Sequence, residues 1–174
     1  MTRPDTPISR LRDLAAGCAA PPPGRARIAL ALVLGALTHL AFVAGVGAMM
    51  IAMFFGMSRT FGTVASPLSL LANAGLIVQF PVLHSALLSA WGRRVLNRAI
   101  PGPHGRTLAT TTYALIASVQ LLLLYTLWTP SGIIWWQAEG AVFALLCVAY
   151  AASWLLLLKA ILDAGMELQI GALG

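Results

Sequence analysis

The chain has 174 residues, of which 59% are apolar and only 9% are charged, and its mean hydropathy is +0.86. A soluble domain carries about a quarter charged residues, so this composition excludes an ordinary water-exposed surface and indicates that lipid is the solvent. The long apolar runs lack the alternation of barrel strands, and we therefore predict an all-α fold, a polytopic membrane helical bundle. The net charge of +6 does not predict nucleic-acid binding, because basic residues at the ends of apolar segments orient membrane proteins.

The apolar segments predict four transmembrane helices joined by short polar loops. We place these helices at about residues 28–55, 68–91, 108–128 and 139–158. Residues 1–27 form a polar lead segment, in which we predict a short helix on the membrane surface before a run of prolines. The membrane bundle then spans residues 28–163, and residues 164–174 form a polar tail.

The basic residues predict the orientation of this bundle. With the N-terminus in the cytoplasm, ten of the eleven basic residues lie on the cytoplasmic side, and only Arg59 lies on the other side. The positive-inside rule therefore predicts that both termini are cytoplasmic. We expect a multi-pass protein of the bacterial inner membrane whose immediate partner is the lipid bilayer.

Two features predict how the helices pack. Ala44, Ala48, Ala52 and Gly56 recur every four residues, and such a ridge of small residues allows a neighbouring helix to approach closely in lipid. Pro81 lies inside the second predicted helix, where it removes a backbone hydrogen bond and is expected to kink or loosen the helix.

Polar side chains within membrane helices are the default candidates for function. The candidates that would face a substrate are His39, Asn73, His84 and Gln120. Asn73 and His84 are about three turns apart and share a helix face, whereas Gln79 is predicted about 140° away from His84. These groups either contact a substrate or form hydrogen bonds between helices, and the sequence leaves both interpretations open.

Two histidines in membrane helices raise the question of a haem. The predicted helix ends place His39 about 17 Å and His84 about 10 Å above the inner surface, and a bis-histidine haem needs both imidazoles at nearly one depth. We therefore predict that the chain binds no haem. The sequence also contains no phosphate-binding glycine loop, no zinc motif and no closely paired cysteines, so we predict no metal site.

The second predicted loop, residues 92–107, is strongly basic. Its arginines are Arg93, Arg94, Arg98 and Arg106. They could hold an anionic or phosphate-bearing substrate, or they could fix the topology and contact anionic lipid headgroups. We prefer the second interpretation, because it accounts for the charges without a ligand.

Between about residues 70 and 170 the sequence carries a spaced set of residues that resembles a known family. The set consists of His84-Ser85, Arg94, Ile100-Pro101, Arg106, Thr112-Tyr113, Ser118, Trp128-x-Pro130-x-Gly132, Trp135, Leu155, Leu158, Asp163, Gly165 and Gln169. It resembles the N-terminal half of the methanethiol S-methyltransferase and NnrU-like proteins. These proteins belong to the isoprenylcysteine carboxyl methyltransferase-like group of membrane enzymes.

The resemblance implies methylation of a small thiol or a lipid-soluble acceptor, with S-adenosylmethionine as the methyl donor. The family binds this donor in its C-terminal half, through an Arg/His-Pro-x-Tyr element and a late acidic pair that this sequence does not contain. We therefore expect the chain to carry the acceptor-side helices without the donor site, as a truncated or split form whose partner is a C-terminal half-protein. The alternative is a non-catalytic subunit or assembly factor of a respiratory or photosynthetic membrane complex.

Overall fold

The computed structural model describes residues 24–100 and 105–163, and over these residues it is all-helical. Its helices are α1 (Arg25–Phe54), α2 (Leu68–Leu88), α3 (Ala90–Ala99), α4 (Gly105–Leu127) and α5 (Gly140–Asp163). All of them except the short α3 are long and apolar enough to cross a membrane. The predicted all-α polytopic membrane fold is thus confirmed. The predicted surface helix in the lead segment and the polar tail lie outside the described residues.

The helix α4 occupies the centre of the structure, with α1 on one side and α2 on the other. Thr111 and Ser118 of α4 face α1. Tyr113 and Gln120 face α2. A step of two residues turns an α-helix by about 200°, so α1 and α2 contact opposite faces of α4.

The contact between α1 and α4 is made by small residues that repeat every seven positions. Thr38, Gly45 and Ala52 are all buried. The Thr38 hydroxyl donates to the Thr111 carbonyl at 3.3 Å, and a Cβ added at Gly45 would lie 2.9 Å from the Ser118 carbonyl oxygen. The same offset of 73 residues relates both contacts, so α1 and α4 run parallel.

The predicted four-residue ridge is therefore wrong as the packing surface of α1. Ala52 is buried, but Ala44 and Ala48 line an open apolar groove of about 350 Å³ together with Gly47, and Gly56 lies beyond the helix end. Helices that pack at a small crossing angle meet about every seven residues. A four-residue step drifts by about 40° around the helix each time, which carries such a ridge away from its neighbour.

The helix α5 runs antiparallel to α1 on the side away from α4. The Tyr150 hydroxyl donates to the Met50 carbonyl at 2.6 Å, and the Phe143 ring lies 6.4 Å from the Phe54 ring. Later residues of α1 therefore contact earlier residues of α5, as in an antiparallel pair. No residue of α5 is buried within the described part of the chain. The four long helices follow the order α5, α1, α4 and α2 across the structure.

The predicted second helix, residues 68–91, and the predicted loop after it differ from the structure. The chain leaves the helical conformation at Ser89, so that α2 ends at Leu88, after continuing through Pro81. A separate helix, α3, then occupies much of the predicted basic loop. The Ser89 hydroxyl oxygen accepts from the Gly92 amide at 3.1 Å and caps this new helix.

The sharp turn from α2 into α3 depends on Gly92. A Cβ at this position would lie 2.2 Å from the Ala86 carbonyl oxygen and 2.4 Å from the Leu87 Cα. Leu96, one helical turn further, is also buried. This face of α3 therefore packs against the bundle, where α3 contacts both α2 and α4, and its arginines remain exposed.

The alternating helix directions place the α1–α2 loop and α3 at opposite ends of the bundle, and the basic residues predict which end is cytoplasmic. We expect GFP fusions to fluoresce at Ile100 and Gly174, and alkaline phosphatase fusions to be active at Thr60 and, as a second position at the same end, at Trp135. Phosphatase activity at Ile100 would reverse the orientation.

Candidate functional site

Five polar residues of α2 and α4, together with Thr129 just after α4, meet along the contact between these helices, which we call the polar seam. The seam consists of three pairs at successive levels: Asn73 with Thr129, Gln79 with Gln120, and His84 with Tyr113. From pair to pair, the residue number in α2 increases while the residue number of its partner decreases, as expected for antiparallel helices. The seam brings together three of the four predicted substrate-facing residues and leaves out His39.

At the end of the seam nearest the α1–α2 loop, Asn73 binds backbone that follows the end of α4. Its Nδ2 donates to the Thr129 carbonyl at 2.9 Å, and its Oδ1 accepts from the Thr129 amide at 2.9 Å. The Asn73 side-chain amide thus supplies a donor for the Thr129 carbonyl and an acceptor for the Thr129 amide, which a continuing helix would otherwise provide. Asn73 uses one of its two amide hydrogens and one acceptor position of its oxygen for Thr129, so its second amide hydrogen is not part of this contact.

The α1–α2 loop binds the same segment from the other side. The Trp128 carbonyl accepts from the Thr60 hydroxyl at 2.7 Å and from the Gly62 amide at 3.1 Å. A Cβ at Gly62 would lie 2.3 Å from the Leu127 carbonyl oxygen, so glycine is required for this approach. The Trp128-x-Pro130-x-Gly132 part of the family-like pattern therefore begins at a structural junction.

In the middle of the seam, two glutamines exchange hydrogen bonds. Gln79 donates to the Gln120 carbonyl at 3.1 Å, and Gln120 donates to the Gln79 carbonyl at 3.0 Å and to its Oε1 at 2.8 Å. The prediction that Gln79 points away from the face of His84 is wrong, since both side chains contact α4. A glutamine side chain is long enough to reach the backbone of the facing helix from a flanking position.

Gln120 is only 4% exposed, and its Oε1 accepts no hydrogen bond from the described residues. A buried amide oxygen without a donor is costly in a low-dielectric interior. Within the described part of the chain, Gln120 Oε1 is therefore the buried acceptor of the seam that no donor satisfies.

At the third level, the only pair of titratable side chains in the seam is formed by His84 and Tyr113. The Tyr113 hydroxyl lies 2.9 Å from Nδ1 and 2.8 Å from Nε2 of His84. The Phe80 ring stacks on the imidazole at 5.3 Å between ring centres. One phenol can pair with one ring nitrogen at a time, so the imidazole retains a second nitrogen for another partner. Tyr113 was not predicted as a site residue, because its role depends on the helix register.

His39 lies apart from the seam. It is exposed on α1, and its Nδ1 is 2.7 Å from the Gly35 carbonyl of its own helix. Since α1 and α2 pack on opposite faces of α4, that helix separates His39 from His84. The structure therefore does not bring His39 together with the other three predicted substrate-facing residues.

The predicted difference in depth between His39 and His84 is wrong. Thr38, beside His39, is level with Thr111, and Tyr113, the partner of His84, is only two residues further along α4. The two histidines therefore lie at similar depths along the bundle. The predicted depths differ because they were measured from the helix ends, and α1 extends well beyond the end of α2. A haem shared by these imidazoles is opposed by the intervening α4. Among the described residues, no three potential metal ligands of the His, Cys, Asp or Glu type cluster together.

The predicted anion-contacting arginines lie together at one end of the bundle. Arg93, Arg94 and Arg98 are exposed on α3, and Arg106 is exposed in the first turn of α4. Gly105 starts α4 so close to the end of α3 that a Cβ there would lie 2.0 Å from the Asn97 carbonyl oxygen. This contact places Arg106 beside the C-terminal end of α3.

Comparison with known proteins gives one partial similarity. A methanethiol S-methyltransferase from Pseudomonas deceptionensis is 33% identical over 95 residues, which is 54% of this chain and 35% of that protein. The chain thus matches about a third of the length of this curated relative. No family model and no solved structure matches. Together with the apolar helices, the similarity supports a methyltransferase-like membrane protein.

Proposed function

We propose that this chain takes part in the S-adenosylmethionine-dependent methylation of a small thiol or another lipid-soluble acceptor, and that it provides the acceptor-side helices. The observation that carries the proposal is the similarity to methanethiol S-methyltransferase. The polar seam supports it, because the seam places an imidazole, a phenol and an unpaired amide oxygen along one helix contact in an otherwise apolar structure.

The residues of the described segments do not fit the methyl donor. S-adenosylmethionine carries a sulfonium, a ribose and an amino-acid group, and their recognition needs acidic and hydrogen-bonding groups close together. The carboxylates of these segments are Glu139 and Asp163, which flank a helix about 36 Å long. Asp163 is also paired with Lys159. The proposal therefore assigns the donor site to residues outside these segments, such as a C-terminal half-protein.

On the acceptor side, the proposed role of His84 is to take the proton of the acceptor thiol. A thiol becomes a strong nucleophile only as the thiolate. A neutral imidazole can accept a proton at one nitrogen while its other nitrogen donates to the Tyr113 oxygen. The same hydrogen bond orients the ring after protonation and stabilises the imidazolium that forms.

The test is to co-express the full chain with the portion of the Pseudomonas enzyme that the match does not cover, and to supply radiolabelled S-adenosylmethionine and methanethiol. We expect labelled dimethyl sulfide from the combination and none from either part alone. In the combination, His84→Ala should lower the rate by about 10²-fold or more, whereas the matched variant His39→Ala should leave it unchanged.

An aromatic thiol, which is already ionised near neutral pH, separates a proton acceptor from a purely structural histidine. The loss caused by His84→Ala should be much smaller with this acceptor than with methanethiol. Equal losses with both thiols would refute the role of His84 but not the proposed methyl transfer. If no combination produced labelled sulfide although both parts were present in the membrane, the non-catalytic alternative would be favoured. The helix α5 has no buried residue among those described, and this also fits that alternative if a further subunit covers the helix.

A further inference from the structure

The short helix α3 has one face packed on the bundle and a second face that is exposed in the described part of the chain. Gly92 and Leu96 are buried on the first face. Trp91 is 59% exposed, and Val95 is also exposed. An exposed tryptophan on a helix between two membrane-crossing helices is typical of a position at the headgroup level.

The exposed residues of α3 are arranged in a strip. Arg94 and Arg98 are four residues apart, and Trp91 precedes Arg94 by three, so these three side chains are neighbours on the helix surface. We call them the arginine strip. Arg94 is two residues from both Gly92 and Leu96, about 200° around the helix, so the strip faces away from the bundle.

The positive charge of this end is not balanced by the described part of the chain. The first turns of α3 and α4 contain no acidic residue. Between described residues, the ion pair is that of Lys159 with Asp163, and no described carboxylate pairs with the α3 arginines. Arg106, held beside the end of α3, adds a further positive charge. Two guanidinium groups one turn apart match the geometry of a phosphate, which arginine binds through parallel hydrogen bonds.

We propose that the arginine strip binds the phosphate of an anionic phospholipid, with Trp91 and Val95 at the level where its acyl chains begin. A site for a soluble anion would not need an exposed tryptophan and valine beside the cations. A lipid uses both features, because its phosphate pairs with the arginines and its glycerol and upper acyl chains contact the apolar side chains. The strip would thereby hold α3 at the membrane surface beside the α2 end of the polar seam.

The test measures lipid binding to the full chain in neutral detergent by native mass spectrometry, with dioctanoyl phosphatidylglycerol and dioctanoyl phosphatidylcholine as probes. We expect a clear preference for phosphatidylglycerol. The double variant Arg94→Gln/Arg98→Gln should weaken its binding by about thirtyfold, from about fivefold for each basic residue. The matched variant Arg59→Gln, at the opposite end of the bundle, should leave binding unchanged.

Further outcomes decide between the sources of the phosphate group. Equal binding of the two lipids, or an equal loss with Arg59→Gln, would overturn the proposal. Displacement of phosphatidylglycerol by millimolar inorganic phosphate would also overturn it, in favour of a soluble-anion site. If circular dichroism shows that the glutamine variant has lost helix, the charge-preserving variant Arg94→Lys/Arg98→Lys replaces it. This variant keeps the charge but lacks the parallel hydrogen bonds of arginine, so it should bind phosphatidylglycerol more weakly than the parent protein and still prefer it to phosphatidylcholine. Equal binding of the two lipids by a folded lysine variant would contradict the proposal.

Discussion

Alanine in place of Gly92 is expected to destabilise the protein by about 3 kcal/mol, because the new methyl group has no space. The added Cβ would lie 2.2 Å from the Ala86 carbonyl oxygen and 2.4 Å from the Leu87 Cα, and both are backbone atoms that cannot rotate away. Either α3 moves away from the end of α2 or α2 unwinds there. Thermal unfolding in detergent should show a melting temperature lowered by about 6–12 °C.

Gly75→Ala is the matched control, because Gly75 also lies within a helix but no atom lies within 4 Å of a Cβ built on it. Alanine has the higher helix propensity, by about 1 kcal/mol, so this variant should be as stable as the parent protein or slightly more stable. A similar loss of stability in both variants would show that glycine is needed for a general helix property and not for the contact at Gly92.

The fold class could be predicted from the sequence, whereas α3 could not. Twenty or more apolar residues in a row specify a membrane-crossing helix without any knowledge of its neighbours. A helix of ten residues that follows a serine and contains glycine and three arginines has the composition of a polar loop. Its helical signal is the pairing of Gly92 with Leu96 on one face, and this becomes meaningful only when α2 and α4 are known to pack against α3.

The candidate residues lie in the long helices in which the sequence places them. Their partners, however, depend on the register between helices. His84 meets Tyr113 because α2 runs antiparallel to α4 at one particular offset. His39 adjoins Thr38, which contacts α4, yet it is turned by about 100° and faces away from the seam. Hydropathy gives the number and length of the helices and does not specify which of their faces meet.

The seam also changes the meaning of the predicted substrate-facing set. Asn73 and Gln120 donate to backbone carbonyls of the opposite segment, so their main role in this structure is to join α2 to α4. His84 differs from them, since its partner is a side chain and one of its nitrogens remains available. Of the predicted set, His84 is therefore the residue best placed to combine a structural contact with chemistry.

Asn73→Leu is expected to have the second large effect, a loss of about 2–6 kcal/mol in the free energy of unfolding. The substitution removes two hydrogen bonds of 2.9 Å and leaves the amide and carbonyl of Thr129 without these partners. Each unsatisfied buried group costs about 1–3 kcal/mol, and Thr129 is only 7% exposed. Hydrogen exchange should show faster exchange at the Thr129 amide, and the melting temperature should fall.

Two companion variants separate the hydrogen bonds from a general effect of changing a polar residue on α2. Ser85→Ala removes an exposed hydroxyl from the same helix and should leave exchange at Thr129 unchanged. Asn73→Asp keeps an acceptor for the Thr129 amide but removes the donor to the Thr129 carbonyl, so this amide should remain protected while stability still falls. If Asn73→Leu left both stability and exchange at Thr129 unchanged, the junction between α2 and the end of α4 would not depend on this side chain. The contacts of Thr60 and Gly62 with Trp128 would then have to hold the junction alone.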